Sequence, residues 1–274
     1  MTKTKIIVYS MVFVFCVLWS YGGLSILESL KQRFSQLGLS PVLANWILLL
    51  LPLLLLLLLF VEVGLKVILL RAAFTPAKFI PTSAEACTYI NQNELSRYTS
   101  DLVNMGFIPL TDYTTQDETA TARLFSHPEH FCFAEVGQQE GFPSTFCSIS
   151  SLLENDWAMG ITNAAVTPSV EAISFAFFRQ SRVLVKGEED ASLPTLFHSL
   201  LNWRKKVCED LGVLPRLEMN AEAYFDFERH KRIQQRRRFM FRSVIWTLLE
   251  MQWFTMYPQS EWLGDYQKLK RPRT

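Results

Sequence analysis

The chain has 274 residues, a formal net charge of +1, 49% hydrophobic residues and 19% charged residues. That length carries one large or two modest domains, and the near-neutral charge excludes a polyanion-binding surface spread over the whole chain. The apolar residues are not evenly spread: two long uncharged runs lie in the first 70 positions, which excludes a purely soluble protein and predicts a membrane-anchored α+β protein.

The first run, Ile6 to Leu27, has 22 residues without a charge, and the second, Val42 to Val61, has 20. A helix of about 20 such residues crosses the hydrocarbon core of a bilayer. The second run is apolar on every face, so it cannot be a soluble core helix; Pro52 inside it removes one backbone hydrogen bond, which membrane helices tolerate. Lys3 and Lys5 ahead of the first run also resemble the start of a cleavable signal peptide. The run is long for that, however, and Trp19 and Tyr21 stand where small residues precede a cleavage site. The two spans, about 6–27 and 42–61, form a predicted transmembrane hairpin over residues 1–71. Lys3, Lys5, Lys66, Arg71 and Lys78 flank its ends, against Lys31 and Arg33 in the connecting loop. This excess predicts a two-pass integral membrane protein with both termini and the C-terminal domain in the cytoplasm. Glu62 and Lys66 are spaced for an ion pair on one helix face, and the rest of the second span reads as an anchor rather than a transport pathway.

Residues 72–90, with Pro76 and Pro81, read as a juxtamembrane linker, and residues 91–215 as an α+β domain. Leu95, Tyr98, Leu102 and Met105 share a face of a predicted helix over 91–105, which Gly106 stops. Phe107 to Leu110 reads as an edge strand, because Pro109 cannot donate to a ladder. Strands are predicted at Thr121–Ser126, Phe131–Val136, Thr145–Leu153, Trp157–Asn163, Ala172–Phe178 and Arg182–Lys186, the last two joined as a hairpin through Gln180-Ser181. Consecutive strands without intervening helices predict an antiparallel meander. Phe131, Phe133 and Glu135 would share one face of their strand. A helix over 193–211 carries the stripe Leu196, Leu200, Trp203 and Val207 and ends at Gly212. A further long helix, basic and then aromatic, occupies residues 216–257, followed by a tail over 258–274.

That last helix holds the most informative feature. Arg229, Lys231, Arg232, Arg236, Arg237, Arg238 and Arg242 place seven positive side chains within 14 residues, and Trp246 and Trp253 follow on one helical face. A basic segment running into an aromatic one suits docking on a membrane surface with anionic lipid head groups. The plainer alternative is a solvated helix followed by one packed on the sheet. Nucleic acid would draw on the same charges, but no nucleic-acid motif accompanies them.

Other signals are weaker. His127-Pro128-Glu129-His130 reads as a turn between strands, with too few neighbouring ligands for a metal site. Cys87, Cys132, Cys147 and Cys208 lack metal or redox spacing; Cys132 and Cys147 lie on neighbouring strands and read as free thiols in a cytoplasmic domain. No Asn-x-Ser/Thr acceptor occurs. The chain has no GxSxG, HExxH, Walker or GxGxxG motif, and neither a catalytic residue nor a cofactor is assigned. The sequence therefore predicts a membrane-tethered, non-enzymatic interaction or ligand-binding module, with lipid and a protein of unspecified chemistry as partners. A membrane-bound enzyme acting on a membrane-proximal substrate, or an accessory subunit of a membrane complex, are the alternatives.

Overall fold

A computed structural model of the chain describes residues 40–72, 78–87, 89–115, 120–139, 144–259 and 261–269, with four single positions between 29 and 36. The chain divides into two compact units, Met1–Lys66 and Val67–Thr274. The first expected span, residues 6–27, lies outside the described residues.

The second expected span is helical. Helix α1 runs over Pro41–Ala72, 32 residues with Pro52 inside it. At 1.5 Å per residue it is about 48 Å long, more than the ~30 Å hydrocarbon core requires. Its stretch Asn45–Arg71 has a mean hydropathy of 2.9, and none of its described side chains is buried. Among the described residues this is the helix long and apolar enough to cross a membrane. Glu62 and Lys66 form the expected ion pair, at 2.8 Å.

The second unit is α+β, built on an eight-stranded sheet in the order β1 to β8. The strands are β1 (Phe79–Pro81), β2 (Ile108–Thr115), β3 (Ala120–His127), β4 (Cys132–Gln139), β5 (Phe146–Leu152), β6 (Ala158–Thr162), β7 (Val183–Gly187) and β8 (Glu261–Trp262). Neighbours are antiparallel except β6 and β7, which are parallel. Helix α2 (Gln92–Asn104) precedes β2, short α3 (Pro168–Ile173) lies between β6 and β7, and α4 (Leu193–Leu211) follows β7. Helices α5 (Ala221–Phe241) and α6 (Val244–Met256) come next, and a one-turn helix, α7 (Tyr266–Leu269), closes the described chain.

The helix ends follow from capping chemistry. Asn91, Ser192 and Asn220 each accept a hydrogen bond from a backbone N–H of the first turn of α2, α4 and α5. Gly106 and Gly212, at φ of 93° and 68°, stop α2 and α4 in a conformation that other residues rarely adopt. Leu95 and Leu102 of α2, and Leu196, Leu200 and Val207 of α4, pack on one sheet face with Phe125, Ala134, Val136, Cys147 and Ile149. On the opposite face, Tyr224 and Phe227 of α5 pack with Tyr113, Leu124, Phe133 and Leu152. The sheet is thus covered by α2 and α4 on one side and by the first half of α5 on the other.

Three expectations are corrected. Ala172–Phe178 is helical rather than a strand: Thr167 caps α3 by accepting from Val170 N, Pro168 occupies its first turn, and Ser174–Phe178 continues it as a π-type turn. A short run that is apolar on both faces has no period to separate strand from helix, and the cap decides. With a helix there, β7 returns parallel to β6 and not as a hairpin partner. Second, the short strand expected at Phe107–Leu110 is the start of a longer one, Ile108–Thr115; β1 covers only its Tyr113–Thr115 end, so Pro109 keeps the expected edge position, and the ladder to β3 slips between Pro109 and Thr111. Third, the single helix over 216–257 is two helices, broken at Arg242-Ser243, where Ser243 caps α6 by accepting from Trp246 N.

Candidate functional site

Cluster by cluster, the seven basic residues divide into different environments. Arg229 pairs with Asp226 and Lys231 with Glu228, each one turn apart on α5. Arg238 donates to the Arg179 carbonyl oxygen. Arg242 is half-buried; it donates to the Ala176 carbonyl oxygen and pairs with Glu250 of α6. Gln235 likewise donates to the Phe178 carbonyl oxygen. These bonds fasten the α5–α6 corner to the turn that follows α3, because helical C-terminal carbonyls are left without backbone partners and accept readily from guanidinium groups. Arg236 and Arg237 are exposed. Lys231 and Arg232 face a cavity over the sheet.

Helix α6 has two unlike apolar faces. Val244 and Phe254 are buried, with Phe254 stacked on Phe175 at 4.5 Å. The other face is open: Trp246 is 60% exposed, Leu249 57%, Trp253 61% and Met256 56%. Spacings of three and four residues align these four along one stripe, and Phe241, 82% exposed, lies at the end of α5. The structure therefore keeps Trp246 and Trp253 out of the core. The Trp246 indole donates to Glu250, and Trp253 lies against Tyr257.

The cavity was not anticipated. It measures about 290 Å³ and lies between the sheet and α5. Small residues make its floor: Gly137, Ser148, Ser150, Ala158 and Gly160 line it where larger side chains would fill the space. Glu135 lies among them, on the β4 strand between Leu124 of β3 and Ser148 of β5. Tyr113 Oη donates to one of its oxygens and Tyr224 Oη to the other, both at 2.7 Å. Burial, and then the Glu135 charge, push both phenols well above their ordinary pKa, so they remain protonated donors. The signal was present in the alternation Phe133-x-Glu135-x-Gly137, which puts a carboxylate on the buried side of a strand.

The remaining candidates have structural roles. His127 to His130 form the β3–β4 turn, held by Arg204 of α4, which donates to the His130 and Phe131 carbonyl oxygens. The rings of His127 and Phe197 stack at 5.3 Å. No cluster of three or more His, Cys, Asp or Glu among the described residues could hold a metal ion. Cys132 and Cys147 are free and buried. Register places Cys147 opposite Val136, four positions from Cys132, too far to pair. Burial pushes the Cys132 thiol up to about 11 and raises Cys147 further, which suits neither thiol to nucleophilic work.

Compared with protein families, with curated proteins and with solved structures, the chain matches none.

Proposed function

We propose that this protein is a membrane-tethered, non-enzymatic interaction or ligand-binding module whose α6 stripe, aided by the exposed Arg236 and Arg237 of α5, rests on an anionic lipid surface. The observation that carries this reading is the open stripe Trp246, Leu249, Trp253 and Met256, in a chain that also has a helix of membrane-spanning length. Contiguous exposed apolar side chains mark surfaces that are covered in use. Indole rings favour the headgroup level of a bilayer, where an apolar body and a polar N–H are both satisfied. Arginines near an anionic leaflet contribute about 1 kcal/mol each.

The reading includes a two-pass topology. Residues 6–27 supply the first span and α1 the second. The flanking Lys and Arg residues then place both termini and the sheet-containing unit in the cytoplasm, on the side of the anionic leaflet.

Quenching of tryptophan fluorescence by brominated lipid tests the contact. The full chain is placed in bilayers of brominated phosphatidylglycerol and compared with the Trp246→Phe/Trp253→Phe variant. Trp19 and Trp46, within the two proposed spans, contribute equally to both, so the difference reports α6. The quenched component is expected to shrink in the variant. An unchanged quenched component places both indoles in water and overturns the proposal.

A further inference from the structure

The cavity beneath α5 combines three features that together specify a ligand. The first is an uncompensated charge. Glu135 is half-buried and bonded only by two neutral phenols; no Lys, Arg or His forms an ion pair with it among the described residues. Each tyrosine has one proton to donate and spends it on this carboxylate, which has capacity for about four donors. A carboxylate partly withdrawn from water in this way gains from a cation brought to it.

The second is the wall. Phe79, Tyr113, Phe146, Tyr224 and Phe227 line the same cavity as Glu135. Phe79 meets Tyr113 edge-on with ring centres 5.4 Å apart. Aromatic faces attract organic cations, and more strongly where water is excluded. A metal ion is disfavoured here, since no group of three or more His, Cys, Asp or Glu among the described residues could ligate one.

The third is size and free polarity. At about 290 Å³ the cavity is at the small end of ligand sites. The Ser148 and Ser150 hydroxyls on its floor are not engaged by another described side chain. Lys231 lines it too, but its charge is matched by Glu228 at 2.7 Å. With that pair matched, the lining keeps one further carboxylate, Glu135, and one further cation, Arg232.

We propose that this cavity binds a small organic ammonium ion, its charge held by the Glu135 carboxylate within the aromatic wall. The site stands apart from the α6 stripe and does not rest on lipid contact there.

The test uses the full chain in maltoside micelles, which carry no ammonium group. Tetramethylammonium, choline and ethanolamine are titrated by calorimetry and by saturation-transfer NMR, with inorganic phosphate and uncharged dimethylbutanol, an isostere of choline, as comparisons. Saturable binding of at least one ammonium probe is expected, at least about tenfold tighter than the uncharged isostere. Glu135→Gln keeps an acceptor for a tyrosine but removes the charge, and is expected to weaken binding by about tenfold or more. Should that variant fail to fold, Gly160→Val tests the same cavity with Glu135 intact. A Cβ on Gly160 meets nothing closer than 3.6 Å, so the position admits a side chain where Gly160 now lines the cavity floor. Loss of the ammonium signal in a folded Gly160→Val protein supports the site. Absence of saturable ammonium binding to the unmodified protein overturns it, as does equal binding of the isostere, binding of phosphate alone, or unchanged binding in the folded variants. Where binding occurs, competition by phosphocholine-headed micelles assigns the ammonium group to a lipid headgroup. Persistence of the choline signal assigns it to a free solute.

Discussion

Single residues in this fold carry consequences that can be measured. His127 Nε2 lies 3.1 Å from the Met105 carbonyl oxygen, and Nδ1 is buried with no partner among the described residues. Burial, and then the neighbouring His130, hold the imidazole pKa below its ordinary 6.5. Above pH 6.5 the ring is neutral whether the chain is folded or unfolded. As pH falls through 6.5 toward the lower native value, the unfolded chain takes up the proton first, so native stability declines. The urea midpoint of the protein is therefore expected to fall between pH 7.5 and pH 5 by more than that of His127→Gln; parallel curves would contradict this. The sequence marked His127 only as part of a turn, because a ring's partners across the sheet are set by tertiary packing. Glu135 shows the same limit. Its place on a buried strand face was legible in the alternation with Phe133, but the two tyrosines that bond it come from 22 residues before and 89 residues after.

At the scale of elements, periodicity and caps agreed wherever a face was one-sided. Helices α2 and α4 lie over 92–104 and 193–211, where stripes of leucine and a following glycine had placed them. Strands β3 to β7 overlie predicted ones because aromatic and β-branched runs between turn residues mark strands even where both faces are covered. Agreement failed at α3, whose segment is apolar on both faces, and at the α5–α6 corner, where helix-forming residues continue through a break. That corner is set by contacts made across the fold. Arg242 joins the Ala176 carbonyl oxygen to Glu250, and Arg179 approaches the same carboxylate at 3.6 Å. Arg242→Ala is expected to destabilise the protein by about 2 kcal/mol, as loss of partly buried charge-assisted bonds does. Denaturant unfolding at neutral pH measures this, and a loss under about 0.5 kcal/mol, the range of an ordinary surface change, would show that the corner does not depend on the guanidinium. The basic cluster, read as one patch in the sequence, is thereby partitioned: part of it clamps backbone, part lines a cavity, and Arg236 and Arg237 remain as exposed charge.

For the whole molecule, charge is divided as unevenly as hydrophobicity. The first 70 residues hold five Lys and Arg against two Glu, leaving 22 basic and 24 acidic residues in the remainder, seven of the basic ones within 14 positions. The proposed two-pass topology predicts that a Gln234→Cys protein, labelled at an exposed position of α5, resists a membrane-impermeant maleimide in intact cells and reacts after permeabilisation. Labelling in intact cells would place the sheet-containing unit outside. Some properties needed only the order of the residues. An uncharged run long enough to cross a bilayer, one-sided stripes and glycine stops act over a few turns of chain, so the membrane-type helix, the α+β class and most of the elements were determined by the sequence alone. Which strand lies parallel, where a long helix breaks, which indoles stay outside and what a buried carboxylate faces depend on residues far apart in the chain. Those were decided when the sheet closed against α2 and α4 on one side and α5 on the other, because only then does each face acquire a partner or remain open.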